Sequence, residues 1–139
     1  MNILTKVQYS CRVSSVLNKD VKQHGKQFMF DTREETSWNS DEGTPQFITI
    51  SLEEPQKISA FSFQFQGGFS GQKSEVIMYS ADGVQIHQES FYPEDINSAQ
   101  LFQIVDSVRD KPCSKLKFVF QSSTDLFGRI IVYNLQLLG

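Results

Sequence analysis

Apolar residues recur at every second position in four stretches of the chain: Ile48, Ile50 and Leu52; Phe61, Phe63 and Phe65; Leu116, Phe118 and Phe120; Tyr133, Leu135 and Leu137. Successive side chains of a strand point to opposite faces, so each series reads as the apolar face of a half-buried β-strand. Further strands are predicted over Ser74 to Ser80, Val84 to Glu89 and Gln100 to Val105. The first two of these are joined by Ala81-Asp82-Gly83, whose Asp-Gly pair suits a tight hairpin turn. Helical periodicity is weak, and only Ser14 to Val21 and Ile104 to Arg109 predict a turn or two. Seven or eight short strands with turn signals between them predict an all-β fold, an antiparallel β-sandwich. Val119, Ile130 and Val132 break the alternation, which places them on a second strand face covered by a loop or by a partner.

Length and composition narrow the picture. With 139 residues and no repeat, low-complexity tract or linker-like run, residues 1–139 are expected to form a single domain. Twelve phenylalanines supply side chains large enough to fill the roughly 10 Å between two packed sheets. A net charge of −3 with dispersed lysines and arginines offers no basic stripe, which argues against direct nucleic-acid binding and against an anionic membrane surface. The start of the chain is too polar for a secretory segment, no stretch is long and apolar enough to span a membrane, and Cys11 and Cys113 are far apart. A nuclear or cytoplasmic protein with free thiols, not a secreted one, is the expectation.

Three loops carry more chemistry than a connection needs: Asp31 to Thr44, Gly67 to Gly71, and Thr124 to Arg129. In the first, Asp31, Glu34, Glu35 and Thr36 offer hard oxygen ligands of the kind calcium takes, or else Asp31 and Thr36 cap the loop through side-chain to backbone bonds. Trp38 is either a packing residue or a stacking platform. Phe69, in Gly-Gly-Phe-Ser-Gly, is an outward anchor or folds back into the sandwich. Arg129 either presents its planar fork to a partner carboxylate or pairs with Asp41, Glu42 or Asp125.

Enzyme signatures are missing from the sequence. Ser70 lacks the Gly-x-Ser-x-Gly spacing of a nucleophile elbow, and His24 and His87 sit in no triad pattern. Two histidines and two distant cysteines make no zinc site. Glu34/Glu35, Asp41/Glu42 and Glu53/Glu54 are adjacent carboxylates that point apart. No cofactor is implied with certainty.

Phe30-Asp31, Glu35-Thr36-Ser37-Trp38, Gln46 and the alternating strand after it resemble the corresponding loop and strand of the discoidin, or coagulation-factor type C, jelly rolls with a galactose-binding-like fold. Ile131 to Gly139 resembles the closing strand of that fold, and Trp38-Asn39-Ser40-Asp41 is similar to the Doc-type members. Arg12 to Asn18, Gln64 to Ser70, Phe91 to Asp95 and Phe127 to Arg129 resemble an intracellular branch of nuclear receptor-associated proteins. The resemblance implies a transcriptional repressor that acts by protein contact with an orphan nuclear receptor. It also implies, in some relatives, a calcium site built from an Asp, a Thr and a carboxylate near the carboxyl terminus. Here Asp31 and Thr36 match, but Asn134 replaces the carboxylate, so only a weak ion site is expected.

The expected contact surface is formed by Asn39, Asp41, Glu42, Phe69, Phe127 and Arg129. Two other functions compete: a carbohydrate-binding module stacking sugars on Trp38 and Phe69, and a structural subunit of a larger, for instance ciliary, assembly that buries Val119, Ile130 and Val132 against a neighbour.

Overall fold

A computed structural model describes all 139 residues. Nine strands form: β1 (Tyr9–Val13), β2 (Trp38–Asn39), β3 (Gln46–Gln56), β4 (Ala60–Phe65), β5 (Ser74–Tyr79), β6 (Gln85–Phe91), β7 (Ala99–Gln103), β8 (Cys113–Phe120) and β9 (Ile131–Leu138). They assemble into a five-stranded sheet of order β1-β3-β8-β5-β6 and a four-stranded sheet of order β2-β9-β4-β7. Every paired neighbour is antiparallel, and the two sheets stack as a β-sandwich. The expected hairpin is present, with β5 and β6 joined across Gly83 at φ 78°.

The alternation fills the space between the sheets with aromatic rings. Phe61, Phe63 and Phe65 of β4 face Phe118 and Phe120 of β8, all fully buried. Phe63 meets Phe118 edge-on at 5.0 Å and 87°, and Phe120 at 5.5 Å and 79°, the arrangement that places a positive ring edge on a negative ring face. Phe91 of β6 closes on Phe61 at 4.9 Å.

The turn expected over Ser14 to Val21 forms as the 3-10 turn Leu17–Lys19, with Asn18 and Lys19 at positive φ of 54° and 57°, and one α-helical turn follows at Val21–His24. The turn expected around Ile104 to Arg109 is the 3-10 turn Asp106–Val108. Two strand readings need correction. On β9 the buried face is not Tyr133, Leu135 and Leu137 alone. The pairing to β4 passes from Gln64 opposite Asn134 to Phe65 opposite Val132, which leaves Tyr133 as an extra residue in a bulge. The bulge lets Val132 and Leu135, three apart, both point inward, while the half-buried Tyr133 donates its hydroxyl to Gln66 Oε1 at 3.0 Å. Ile130 and Val132 are therefore fully buried in this domain's own core. Val119 lies on the opposite side of the sandwich, paired with Phe47 and Glu75, so these three residues share no face.

Candidate functional site

Loops from both sheets meet at one end of the sandwich, above a buried polar network. Its centre is Gln46, 5 % exposed at the start of β3. The Gln46 carbonyl oxygen accepts from the hydroxyls of Ser14 and Ser15, the latter at 2.8 Å. Its amide nitrogen donates to the carbonyls of Asp41 (3.2 Å) and Gly43 (2.7 Å). Ser14 Oγ accepts from Phe47 N and Ser15 Oγ from Asp41 N, both at 2.9 Å. Trp38, with no exposed surface, donates its indole N–H to the Ser15 carbonyl at 2.9 Å. Buried polar groups left unpaired are costly, and here each one finds a partner, so the Ser14-Ser15 segment, Trp38 and the Asp41–Gly43 loop are held as one body.

That body carries the loop from Thr124 to Arg129. Gly43 N donates to the Phe127 carbonyl at 2.7 Å. Gly128, at φ 84°, packs so closely that a Cβ there would stand 2.9 Å from the Gly43 carbonyl carbon. Asp125 folds the loop on itself, taking Gly128 N on its carbonyl and Arg129 N on Oδ2, both at 3.0 Å. Ser40 Oγ accepts Ile130 N at 2.8 Å and anchors the return to β9.

A carboxylate ties in the third loop. Asp95 Oδ1 accepts from Gly68 N (2.7 Å), Ser70 Oγ (3.1 Å) and Thr124 Oγ1 (3.2 Å). The Gly68 amide bond holds its pKa below the usual carboxylate value, partial burial opposes this, and the two hydroxyls add to the lowering.

The expected contact residues sit unequally on this platform. Phe127 is 62 % exposed and its neighbour Leu126 91 %, a large apolar pair on a fixed loop. They rim an open depression of about 330 Å³ with Gly43, Thr44 and Ser123. Glu42 is exposed and Asp41 half-buried. Asn39 is a correction: it is 8 % exposed, and its amide donates to the Ser37 hydroxyl at 3.0 Å, because β2 pairs it with Ile131. Phe69 is half-buried, and the Arg129 guanidinium lies over its ring at 5.1 Å. Arg129 makes no ion pair with Asp41, Glu42 or Asp125; the only ion pairs are His87–Glu89 and Arg109–Asp106. Its buried Nε has no acceptor. Leu126 was not among the expected residues, since a single leucine between Asp125 and Phe127 fits no period.

Asp31 and Thr36 are engaged with each other in a turn. Asp31 Oδ1 accepts Arg33 N at 3.0 Å and Oδ2 accepts the Thr36 hydroxyl at 2.5 Å, so both oxygens serve the turn. Asn134 turns its amide to the Met29 carbonyl at 3.4 Å. No group of three or more His, Cys, Asp or Glu side chains converges anywhere in the chain. Beside this one carboxylate and one hydroxyl, a calcium ion would have to draw the rest of its six to eight oxygens from backbone or amide carbonyls and water.

The remaining reactive groups are turned inward. Ser70 is fully buried against Asp95, and Cys11 and Cys113 are separate buried thiols. Burial pushes the Cys11 thiol up to about 12 and raises that of Cys113.

No protein-family model matches the chain. Curated proteins named nuclear receptor 2C2-associated protein do, among them that of Danio rerio at 53 % identity over 92 % of this chain and 89 % of its own length, that of Xenopus tropicalis at 46 % over 99 % and 98 %, and that of Homo sapiens at 43 % over 92 % and 89 %. Among solved structures, the chain is similar to a family 32 carbohydrate-binding module of Clostridium perfringens in complex with GalNAc-β-1,3-galactose, with a TM-score of 0.75 at 18 % identity over 94 % of this chain and 95 % of that one. A chitosan-binding module of Paenibacillus gives a TM-score of 0.75 at 14 % identity over 100 % and 99 %. An F5/8 type C domain of Bacteroides fragilis gives 0.72 at 14 % over 93 % and 89 %. The fold is thus the galactose-binding-like, discoidin-type jelly roll.

Proposed function

This chain belongs to the family of nuclear receptor 2C2-associated proteins, and from that membership we propose that it is a non-catalytic module that binds a nuclear receptor through the loop end of the sandwich. The observation that carries the site is the exposed pair Leu126 and Phe127 on a loop pinned at both ends by hydrogen bonds. Large apolar side chains on rigid support bind at little entropic cost, because the ordering has been done in folding. The proposed surface takes in the exposed Glu42 and the half-buried Asp41 of the adjoining loop, and Arg129 with Phe69 beneath it. Binding masks a receptor surface and represses transcription without contact to DNA, which suits a chain of net charge −3. Its place of action is then wherever the receptor is, nucleus or cytoplasm.

The test is capture of purified nuclear receptor 2C2 by the Leu126→Ser, Phe127→Ser double variant. Capture weakened at least about tenfold with an unchanged melting temperature supports the site. Undiminished capture rejects it, and no capture by the parent chain rejects the partner.

The sugar-bound structural relatives favour a second reading, a carbohydrate module. Both stacking candidates are withdrawn from solvent, Trp38 by burial and Phe69 beneath Arg129. Calorimetric titration with galactose and with GalNAc-β-1,3-galactose decides it: heat of binding lost in a Phe127 variant would move the site from protein to glycan.

A further inference from the structure

The outer face of the five-stranded sheet gathers cations that lie far apart in the sequence. Alternation turns Cys11, Ile50 and Leu116 into the core and the residues between them outward. Register then sets Arg12 of β1 opposite Thr49, Thr49 opposite Lys117 and Lys117 opposite Ile77 in one row. The next row sets Ser51 opposite Lys115 and Lys115 opposite Tyr79. Arg12, Lys115 and Lys117 therefore stand together through β3, with no carboxylate in either row.

None of the three is in an ion pair, since those of the chain are His87–Glu89 and Arg109–Asp106. Lys117 holds its ammonium over the Phe47 ring at 4.7 Å, and Lys115 over the Tyr79 ring at 4.5 Å. The rings orient both charges without neutralising them. Each flanking row contributes one acid: Glu75, whose Oε2 accepts the Gln88 amide at 3.0 Å, and Glu53, two residues beyond Ser51 along β3. These acids limit the positive area to two rows, too short for a continuous polyphosphate running along the strands.

We propose that this face docks an acidic protein segment in extended conformation, with carboxylates at alternate positions. Same-face residues of a strand repeat at roughly 6.7 Å, which is the spacing of Lys115 and Lys117 along β8 and of every second side chain in an extended ligand. Arg12, two strands away at roughly 9.5 Å, takes a third carboxylate. Because the chain as a whole carries a charge of −3, an acidic segment is repelled over most of the surface and attracted here, which fixes where it lands. Ammonium groups already ordered on rings reduce the entropy lost on binding. The surface shares no residue with the Leu126–Phe127 loop.

The probe is a fluorescein-labelled octapeptide of alternating glutamate and threonine, followed by anisotropy in about 50 mM salt. The parent chain is expected to bind it, to release it as salt rises, and to ignore the same peptide with glutamine for glutamate. Lys115→Gln with Lys117→Gln is expected to weaken binding at least about tenfold, and Arg12→Gln on the exposed edge strand about threefold, with thermal unfolding showing both folded. The Leu126→Ser, Phe127→Ser variant is expected to bind as the parent does, which separates this surface from the receptor site. A parent that ignores the glutamate peptide overturns the proposal. So does undiminished binding by the lysine and arginine variants, equal binding of the glutamine peptide, or tighter binding of an oligothymidine of the same charge.

Discussion

Two neighbouring regions at the loop end obey opposite rules. Around Gln46, every buried polar atom has a partner, and Trp38 is sealed from solvent. Four residues beyond the end of β8, the loop from Thr124 to Arg129 turns Leu126 and Phe127 out to water and leaves the Arg129 Nε without an acceptor. The first region is closed around Ser14, Ser15, Trp38 and Gln46. The second turns its large apolar side chains outward. Adjacent segments thus differ in burial, and hydrogen bonds from the first, Gly43 N to the Phe127 carbonyl and Ile130 N to Ser40 Oγ, hold the loop that carries Leu126 and Phe127.

Substitutions in the network break that comparison most severely. Trp38→Ala empties the largest fully buried side chain and strands the Ser15 carbonyl, and is expected to cost about 3–5 kcal/mol in urea unfolding. Capture of the receptor then falls only because the domain falls. Gln46→Ala leaves the Asp41 and Gly43 carbonyls and two serine hydroxyls without their partner; about 1–3 kcal/mol is expected, with faster exchange of the Gly43 and Gly128 amides.

Gly128→Ala probes the joint between the regions. A side chain there must tolerate φ 84° and meets the Gly43 backbone at 2.9 Å, so about 1–2 kcal/mol is lost and the Phe127 loop lifts. Weakened capture beyond what the stability loss explains would show that loop position matters as well as loop composition. The smallest effect comes from acid. Asp95 has a lowered folded-state pKa, so its stabilising contribution is present above the unfolded value of about 4 and is lost as pH falls through the folded one. Because this carboxylate is exposed, the loss is local: Gly68 and Thr124 resonances are expected to move below about pH 4 while the melting temperature follows the bulk of the protein. Identical titration in an Asp95→Asn variant would rule out Asp95 as the cause.

The period-two series of β3, β4 and β8 were legible because those strands are regular and half-buried. On β9 the positions Leu135 and Leu137 were legible too, but a bulge at Tyr133 shifts the inward phase before them, and the break in alternation at Ile130 and Val132 is its trace in the sequence. The turn read over Ser14 to Val21 forms at Leu17–Lys19, and the part not legible in sequence is its left-handed backbone at Asn18 and Lys19. At the site, Asp31 with Thr36 reads in sequence as a turn or as a ligand pair, and the hydrogen bonds to Arg33 N and Thr36 Oγ1 form the turn. Asn39 looked exposed because the two-residue strand that buries it is too short to show a period. Leu126 was invisible for the opposite reason, since its importance lies in exposure rather than in pattern.

Amide hydrogen exchange of the chain, alone and with purified nuclear receptor 2C2, tests the central claim most directly. The account predicts slowed exchange over residues 42–44 and 125–129 with Trp38 and Asn39 unchanged. Protection confined to the outer sheet faces, with none from Asp125 to Arg129, would contradict it.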